Sequence, residues 1–167
     1  MMQFETQRLT LHSFCESDKP KMLEMLYDES IKKTYMIPDF KSVAEAEKLF
    51  EVFSRLSLSA DRYVGGIYLG NELIGFMNDT EIEGDRIELG YVISPKYQNN
   101  GYCTEALTGA VAYLFENGFS EVICGAFEEN AASIRVMQKS GMTKLEKTDE
   151  IEYKGKRHNC IYYSRTK

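Results

Sequence analysis

The segment from Val92 to Leu107, VISPKYQNNGYCTEAL, constrains this chain more than any other stretch. It reads as a strand, a stop at Pro95, which has no backbone N–H to give to a ladder, a short loop, and a helix opening near Thr104. Behind the loop, Leu107, Ala110, Val111 and Leu114 repeat at helical spacing, and Asn117-Gly118 supplies a glycine for a left-handed cap. A helix entered this way starts with N–H groups that have no intrahelical partners, and its dipole adds partial positive charge at the same end. Gly101 lets the loop backbone approach a ligand with no Cβ in the way. Together these features suit a site for a phosphate or a carboxylate, with an ordinary strand-to-helix turn that uses glycine for its geometry as the alternative. The loop is neither a Walker loop, since no Gly-Lys-Ser/Thr follows, nor the dinucleotide G-x-G-x-x-G fingerprint.

The periods on either side place this segment in a mixed chain. Residues 6–14, TQRLTLHSF, alternate as a strand, and Ser17 or Asp18 is positioned to cap a helix carrying Pro20 in its first turn and Met22, Met25, Leu26 and Glu29 at helical spacing. After Pro38, Ser42-x-x-Glu45 reads as a capping box ahead of a helix that buries Val43, Ala46, Leu49, Phe50 and Phe53. YVGGIYL and ELIGFMN flank Gly70-Asn71 as a hairpin, and a turn at Glu83-Gly84-Asp85 leads into the strand RIELGYVIS. EVICGAF is a short buried strand; Asn130 caps a helix bearing Ile134 and Met137, stopped by Gly141; two last strands surround Lys154-Gly155. No repeat, low-complexity tract or linker interrupts the order.

Charge and cysteine usage narrow the function classes. The 167 residues hold 20 Lys plus Arg against 26 Asp plus Glu, a net charge of −6, so the long-range attraction that nucleic-acid binders use is absent and no nucleic-acid partner is expected. Cys15, Cys103, Cys124 and Cys160 form no C-x-x-C pair, and His12 and His158 stand apart, so neither a metal site nor a disulfide framework is expected. No run approaches the roughly 18 apolar residues of a membrane span, and the start lacks the pattern of a secretory signal, which points to a cytoplasmic protein without a membrane partner.

Several motifs in fixed order resemble the GCN5-related N-acetyltransferases. Gln98-Asn99-Asn100-Gly101-Tyr102-Cys103 is similar to that family's Q/R-x-x-G-x-G/A loop. Its company is Glu5-Thr6-Gln7-Arg8-Leu9 at the start, ELGYVISP before the loop, Thr104-Glu105-Ala106 after it, and Asn130 to Val136 leading to Lys139-Ser140-Gly141-Met142. The separations resemble the ribosomal-protein N-acetyltransferase (RimJ/RimL-type) branch. The resemblance implies one α/β (α+β) domain over residues 1–167, with a twisted, mixed, mainly antiparallel sheet of about six or seven strands, helices on both faces, and a central split admitting acetyl-CoA. It also implies direct acetyl transfer from acetyl-CoA to a primary amine, either a protein N-terminus or a small amine such as a polyamine or aminoglycoside. Homodimers are frequent among relatives.

Residue by residue, the resemblance assigns Val92, Ile93 and Ser94 to the pantetheine arm and the backbone of residues 99–104, including Asn99, Asn100, Gly101, Tyr102, Cys103 and Thr104, to the pyrophosphate. Gln98 opens that loop, Asn130 matches a residue that contacts the arm or a water, and Lys139 could reach a coenzyme phosphate, with an exposed helix lysine as its alternative reading. Glu88 matches a position that acts as general base in some relatives, with a cationic-acceptor contact or a partly exposed sheet face as alternatives, and Ser133 matches a hydroxyl that can protonate the leaving thiolate, with a local helix role as its alternative. Tyr35, Phe40, Tyr63, Tyr91 and Tyr153 are candidates to line an acceptor cleft, with the core as their alternative place. Three departures matter. Met137 stands where many relatives have an acid tyrosine, Cys103 stands where Gly or Ala is usual and brings a thiol close to a coenzyme, and Gly155-Lys156-Arg157-His158-Asn159 lacks the branch's usual substrate residues. Met137 favours the rival reading, a coenzyme-A-binding sensor or interaction module without transfer activity.

Overall fold

A computed structural model describes all 167 residues, and they group into two compact units. The first holds Met1–Asn78 and Tyr91–Tyr102, the second Asp79–Gly90 and Cys103–Lys167. Eight strands follow one another across the sheet in the order β1-β2-β3-β4-β5-β6-β8-β7, one more than the upper end of the sequence expectation. The extra strand comes from the start of the chain. Thr6 N–H donates to the Leu9 carbonyl (2.8 Å) and Leu9 N–H to Thr6 Oγ1 (3.1 Å), so a tight turn takes the first residues of the strand expected over 6–14, which is shortened to β2 (Leu9–His12), and a separate short strand, β1 (Phe4–Glu5), precedes the turn.

In the first unit β2 pairs antiparallel with β3 (Gly65–Leu69), Leu9 opposite Leu69, and β3 with β4 (Glu72–Glu83), Gly65 opposite Met77. Gly70 turns the hairpin at φ 59°. The helices are α1 (Lys19–Tyr27), α2 (Glu29–Lys32) and α3 (Val43–Ser57). Met22, Leu26, Phe50 and Phe76 are buried in one core with Tyr68 and Val92. Glu29 opens α2 instead of continuing α1, because Asp28 is extended and its carboxylate accepts the N–H groups of Ser30 (2.8 Å) and Ile31 (3.0 Å). At α3 the predicted capping box is displaced by one residue: Ser42 makes no side-chain cap, and the Glu45 carboxylate accepts from Lys41 N–H (2.8 Å). Val43, expected in the core, is 60% exposed, since the buried stripe of α3 begins at Ala46.

Asp18 does not cap α1 with its side chain. Its buried carboxylate instead accepts from Tyr68 Oη (2.7 Å), Cys15 N–H (2.8 Å) and Cys15 Sγ (3.1 Å), and the Tyr68 ring stacks on His12 at 3.9 Å. Replacing Asp18 by Ala leaves the Tyr68 hydroxyl buried without this acceptor, a loss of about 1–3 kcal/mol. A urea titration is expected to show a lower midpoint with an unchanged slope, and a Tyr68→Phe background is expected to absorb part of the cost.

The second unit contains α4 from Cys103 onward (Tyr102–Glu116 in full), β6 (Glu121–Phe127), α5 (Ala131–Lys139), β7 (Thr143–Tyr153) and β8 (Lys156–Thr166). The start of β5 (Arg86–Ile93) runs parallel to β6, as a helical connection between them permits, and pairs Arg86 with Glu121, Ile87 with Val122 and Glu88 with Ile123. β6 pairs antiparallel with β8 along its whole length, and β8 with β7 around a turn whose Lys154 and Gly155 both have positive φ (50° and 71°). Ala106, Leu107, Ala110, Val111 and Leu114 are the buried stripe of α4, as their spacing predicts. α5 ends as predicted at Gly141 (φ 78°), and Arg165 Nη1 donates to the Ser140 carbonyl (3.1 Å). No helix is long and apolar enough to cross a membrane.

Candidate active site

The anion loop is assembled within the first unit. Ser94 N–H donates to the Ile74 carbonyl (2.8 Å), which holds the end of β5 against β4. Gly75 makes that approach possible, because a Cβ there would stand 2.3 Å from the Val92 carbonyl oxygen. Beyond the Pro95 stop, Gln98 Nε2 donates back to the Ile93 carbonyl (3.0 Å), and Asn100 Nδ2 donates to the carbonyls of Tyr97 (3.2 Å) and Gln98 (2.9 Å). The side chains of Gln98 and Asn100 thus shape the loop. Asn99 at φ 63° and Gly101 at φ 80° flank Asn100, and alternation of this kind turns successive N–H groups towards one side, a concavity suited to an anion. Asparagine is among the few residues other than glycine that take this conformation readily. Arg8 joins the loop from the turn before β2: its Nη1 donates to the Asn100 carbonyl (3.1 Å) and its guanidinium lies 4.5 Å from the Tyr102 ring centroid. These backbone donors and the guanidinium suit a diphosphate.

The carboxylate expected to act as base is in the second unit. Glu88 is half-buried on β5, and Thr80 Oγ1 donates both to its Oε1 (3.1 Å) and to its backbone carbonyl (3.3 Å). Burial raises the Glu88 carboxyl above the ordinary glutamate range, against the opposing effects of the Thr80 bond and the Lys147 charge. Lys147 Nζ lies over the Tyr162 ring at 4.3 Å and 3.8 Å from the Asp149 carboxylate. The Tyr162 ring lies over Gly125, its partner in the β6–β8 ladder, where a Cβ would stand 2.8 Å from the ring. Burial, then the bond to Asp149, raises the Tyr162 hydroxyl so that it keeps its proton.

Asn130 and Ser133 are brought together at the start of α5, where Asn130 Oδ1 accepts from Ser133 N–H (3.1 Å) and so performs the cap predicted for it. Lys139 is exposed at the other end of the same helix. Met137 is fully buried and belongs to the core. Thr104 sits in the first turn of α4, its carbonyl accepting from Thr108 Oγ1 (2.8 Å) and Ser140 Oγ (3.4 Å). Burial pushes the Cys103 thiol up to about 12, which keeps it in the protonated, weakly nucleophilic form. Of the aromatic candidates, Tyr35 donates to Asn78 Oδ1 (2.5 Å) and packs edge-on against Phe76, Phe40 meets Tyr27 at 5.6 Å, and Tyr153 lies beside Phe127 and His158. His158 also meets Glu129 at 2.5 Å. Sequence reasoning gave no separate role to Arg8 or Thr80. Thr80 was accessible by counting back from the Gly84-Asp85 turn, whereas nothing in the spacing linked Arg8 to a loop 92 positions away.

The sequence model described as an acetyltransferase (GNAT) domain matches residues 8–143. The chain belongs to the GNAT acetyltransferase family. YnaD of Bacillus subtilis strain 168, named an uncharacterized N-acetyltransferase, is 31% identical over 147 residues, 86% of this chain and 84% of that protein. Solved structures share the fold, among them two acetyltransferases. The GNAT-family acetyltransferase from Bacillus anthracis has a TM-score of 0.86 at 24% identity, with 99% of this chain and 98% of that one covered. The ribosomal L7/L12 alpha-N-protein acetyltransferase RimL, solved in complex with coenzyme A, has a TM-score of 0.84 at 18% identity over 99% and 98% of the two chains. This GNAT protein is therefore an acyl-CoA-dependent N-acetyltransferase with structural neighbours in the RimL-type branch.

Proposed function

We propose that this GNAT protein, acting as one domain over residues 1–167, transfers an acetyl group from acetyl-CoA directly to a primary amine, with Glu88 as base. The observation that carries the reading is the Glu88 carboxyl, half-buried on β5 four residues before the segment 92–94 and raised by desolvation. A carboxylate raised in this way is a stronger base than one on the surface, which suits removal of a proton from an ammonium group. Thr80 fixes its Oε1, so the carboxylate is oriented before an acceptor arrives.

Val92, Ile93 and Ser94 would hold the pantetheine arm, and the N–H groups of residues 99–104 with Gly101 would hold the pyrophosphate. Acetyl-CoA supplies the acetyl group as a thioester. Glu88 accepts the proton of the attacking amine, backbone N–H groups of β5 stabilise the charge that develops on the carbonyl oxygen, and Ser133 or solvent returns a proton to the leaving sulfur. The net charge of −6 and the Glu88 carboxylate favour a cationic acceptor, a protein N-terminus or a small amine. RimL, named for the α-amine of ribosomal L7/L12, lends support to the first of these.

Calorimetric titration of the purified protein with acetyl-CoA, desulfo-CoA and ATP tests the coenzyme assignment. Binding of the first two in preference to ATP is expected; no binding of either would sink it. Binding without acetyl transfer to any amine in a panel of peptides and polyamines would favour the sensor module.

A further inference from the structure

We infer that Arg8 is a positioning residue for the coenzyme's diphosphate, acting through the loop at residues 98–102. The inference rests on the proposal that this loop takes the pyrophosphate. Arg8 is exposed, yet its guanidinium makes two different contacts with the loop, both within the first unit. Nη1 donates to the Asn100 carbonyl (3.1 Å), the carbonyl that lies between the left-handed residues 99 and 101. The guanidinium carbon also lies over the Tyr102 ring, 4.5 Å from its centroid, and Tyr102 is the residue that opens α4. Its Nη2 is 3.5 Å from the place a Cβ on Gly101 would occupy, so the charge sits against the glycine of the loop.

The presentation of Arg8 is itself built. The bonds between Thr6 and Leu9 close the turn that carries it, and Leu9 and Leu11 are buried in the strand that follows. A bond to the Asn100 carbonyl orients the peptide that links Asn100 to Gly101, and therefore the direction of the Gly101 N–H. Holding that peptide in advance spares a diphosphate the cost of ordering the loop, and the guanidinium adds positive charge beside it. Lysine lacks the planar fork and the flat face that make both contacts at once.

Arg8→Gln removes the cation–π contact and the charge-assisted bond, so its dissociation constant for acetyl-CoA is expected to rise about tenfold. S-acetyl-pantetheine, which lacks the diphosphate, is the discriminating probe, followed by ligand-observed NMR; its affinity is expected to be unchanged. Equal weakening of both ligands would show a merely structural role and overturn the inference, as would unchanged binding of acetyl-CoA. Arg8→Lys is expected to recover only part of the loss, and full recovery would overturn the positioning role because charge alone would suffice. Failure of the unmodified protein to bind acetyl-CoA removes the coenzyme reading and this inference together, whereas binding that is indifferent to residue 8 removes only the inference.

Discussion

Glu88→Gln is expected to lower turnover on the order of 10²- to 10⁴-fold, the contribution usual for a general base, while acetyl-CoA affinity stays within a factor of about two. Glutamine keeps the size of the side chain and an oxygen able to accept from Thr80, so the change removes basicity with little change of shape. In the unmodified enzyme, kcat/KM is expected to rise with pH through the Glu88 carboxyl, at a pH above the ordinary glutamate range because burial raises it. That limb is expected to vanish in Glu88→Gln, leaving only the rise caused by the amine's own deprotonation at higher pH. Unchanged turnover would remove Glu88 from the mechanism.

The same raised carboxyl affects stability. The folded chain holds the Glu88 proton more tightly than the unfolded chain, so the group's contribution to stability is present below the unfolded value and is lost as pH rises through the folded one. Glutamine does not titrate. The stability of Glu88→Gln relative to the parent is therefore expected to increase between pH 4 and pH 7, read from thermal melts at both. A constant difference would mean that the carboxyl is not raised.

Gly75→Ala has the other large expected effect. The new Cβ would stand 2.3 Å from the Val92 carbonyl oxygen and 3.2 Å from the Ile93 Cα. The Ile93 Cδ1, at 2.8 Å, can swing away, but the Val92 carbonyl is backbone and moves only with β5. A loss of about 1–3 kcal/mol is expected from the overpacking. Acetyl-CoA affinity is expected to fall at least tenfold as well, because residues 92–94 are the proposed contact for the pantetheine arm. Gly70→Ala is the control: it strains a left-handed turn with nothing within 4 Å of the new Cβ, and is expected to cost stability while leaving acetyl-CoA binding intact. Retained binding in Gly75→Ala would remove residues 92–94 from the coenzyme site.

Periodicity and turn chemistry were legible wherever the local signal carried its own physics. Pro95 stops β5, the stripe from Leu107 to Leu114 makes α4, and Gly141 ends α5, each from interactions within a few residues. Local reasoning failed where side chains had alternative partners close by. Asp18 was free to cap α1 but is taken by Tyr68, a residue 50 positions away, and Glu45 chose the N–H of Lys41 over that of Ser42. Thr6 folded its own segment into a turn that strand alternation does not reveal.

The candidate site divides in the same way. The sequence by itself determined the order of strand, loop and helix around residues 92–107, the need for Gly101, the carboxylate at 88 and the cap at Asn130, because each depends on backbone geometry or on neighbours close in the chain. Only the tertiary structure decided the surroundings that give those residues their properties. Desolvation raises Glu88, Gly75 admits the Val92 carbonyl, and Arg8 reaches the carbonyl of Asn100. The reason is physical: a residue's burial and its long-range partners are set by segments that arrive from elsewhere in the chain, and spacing within one segment contains no record of them.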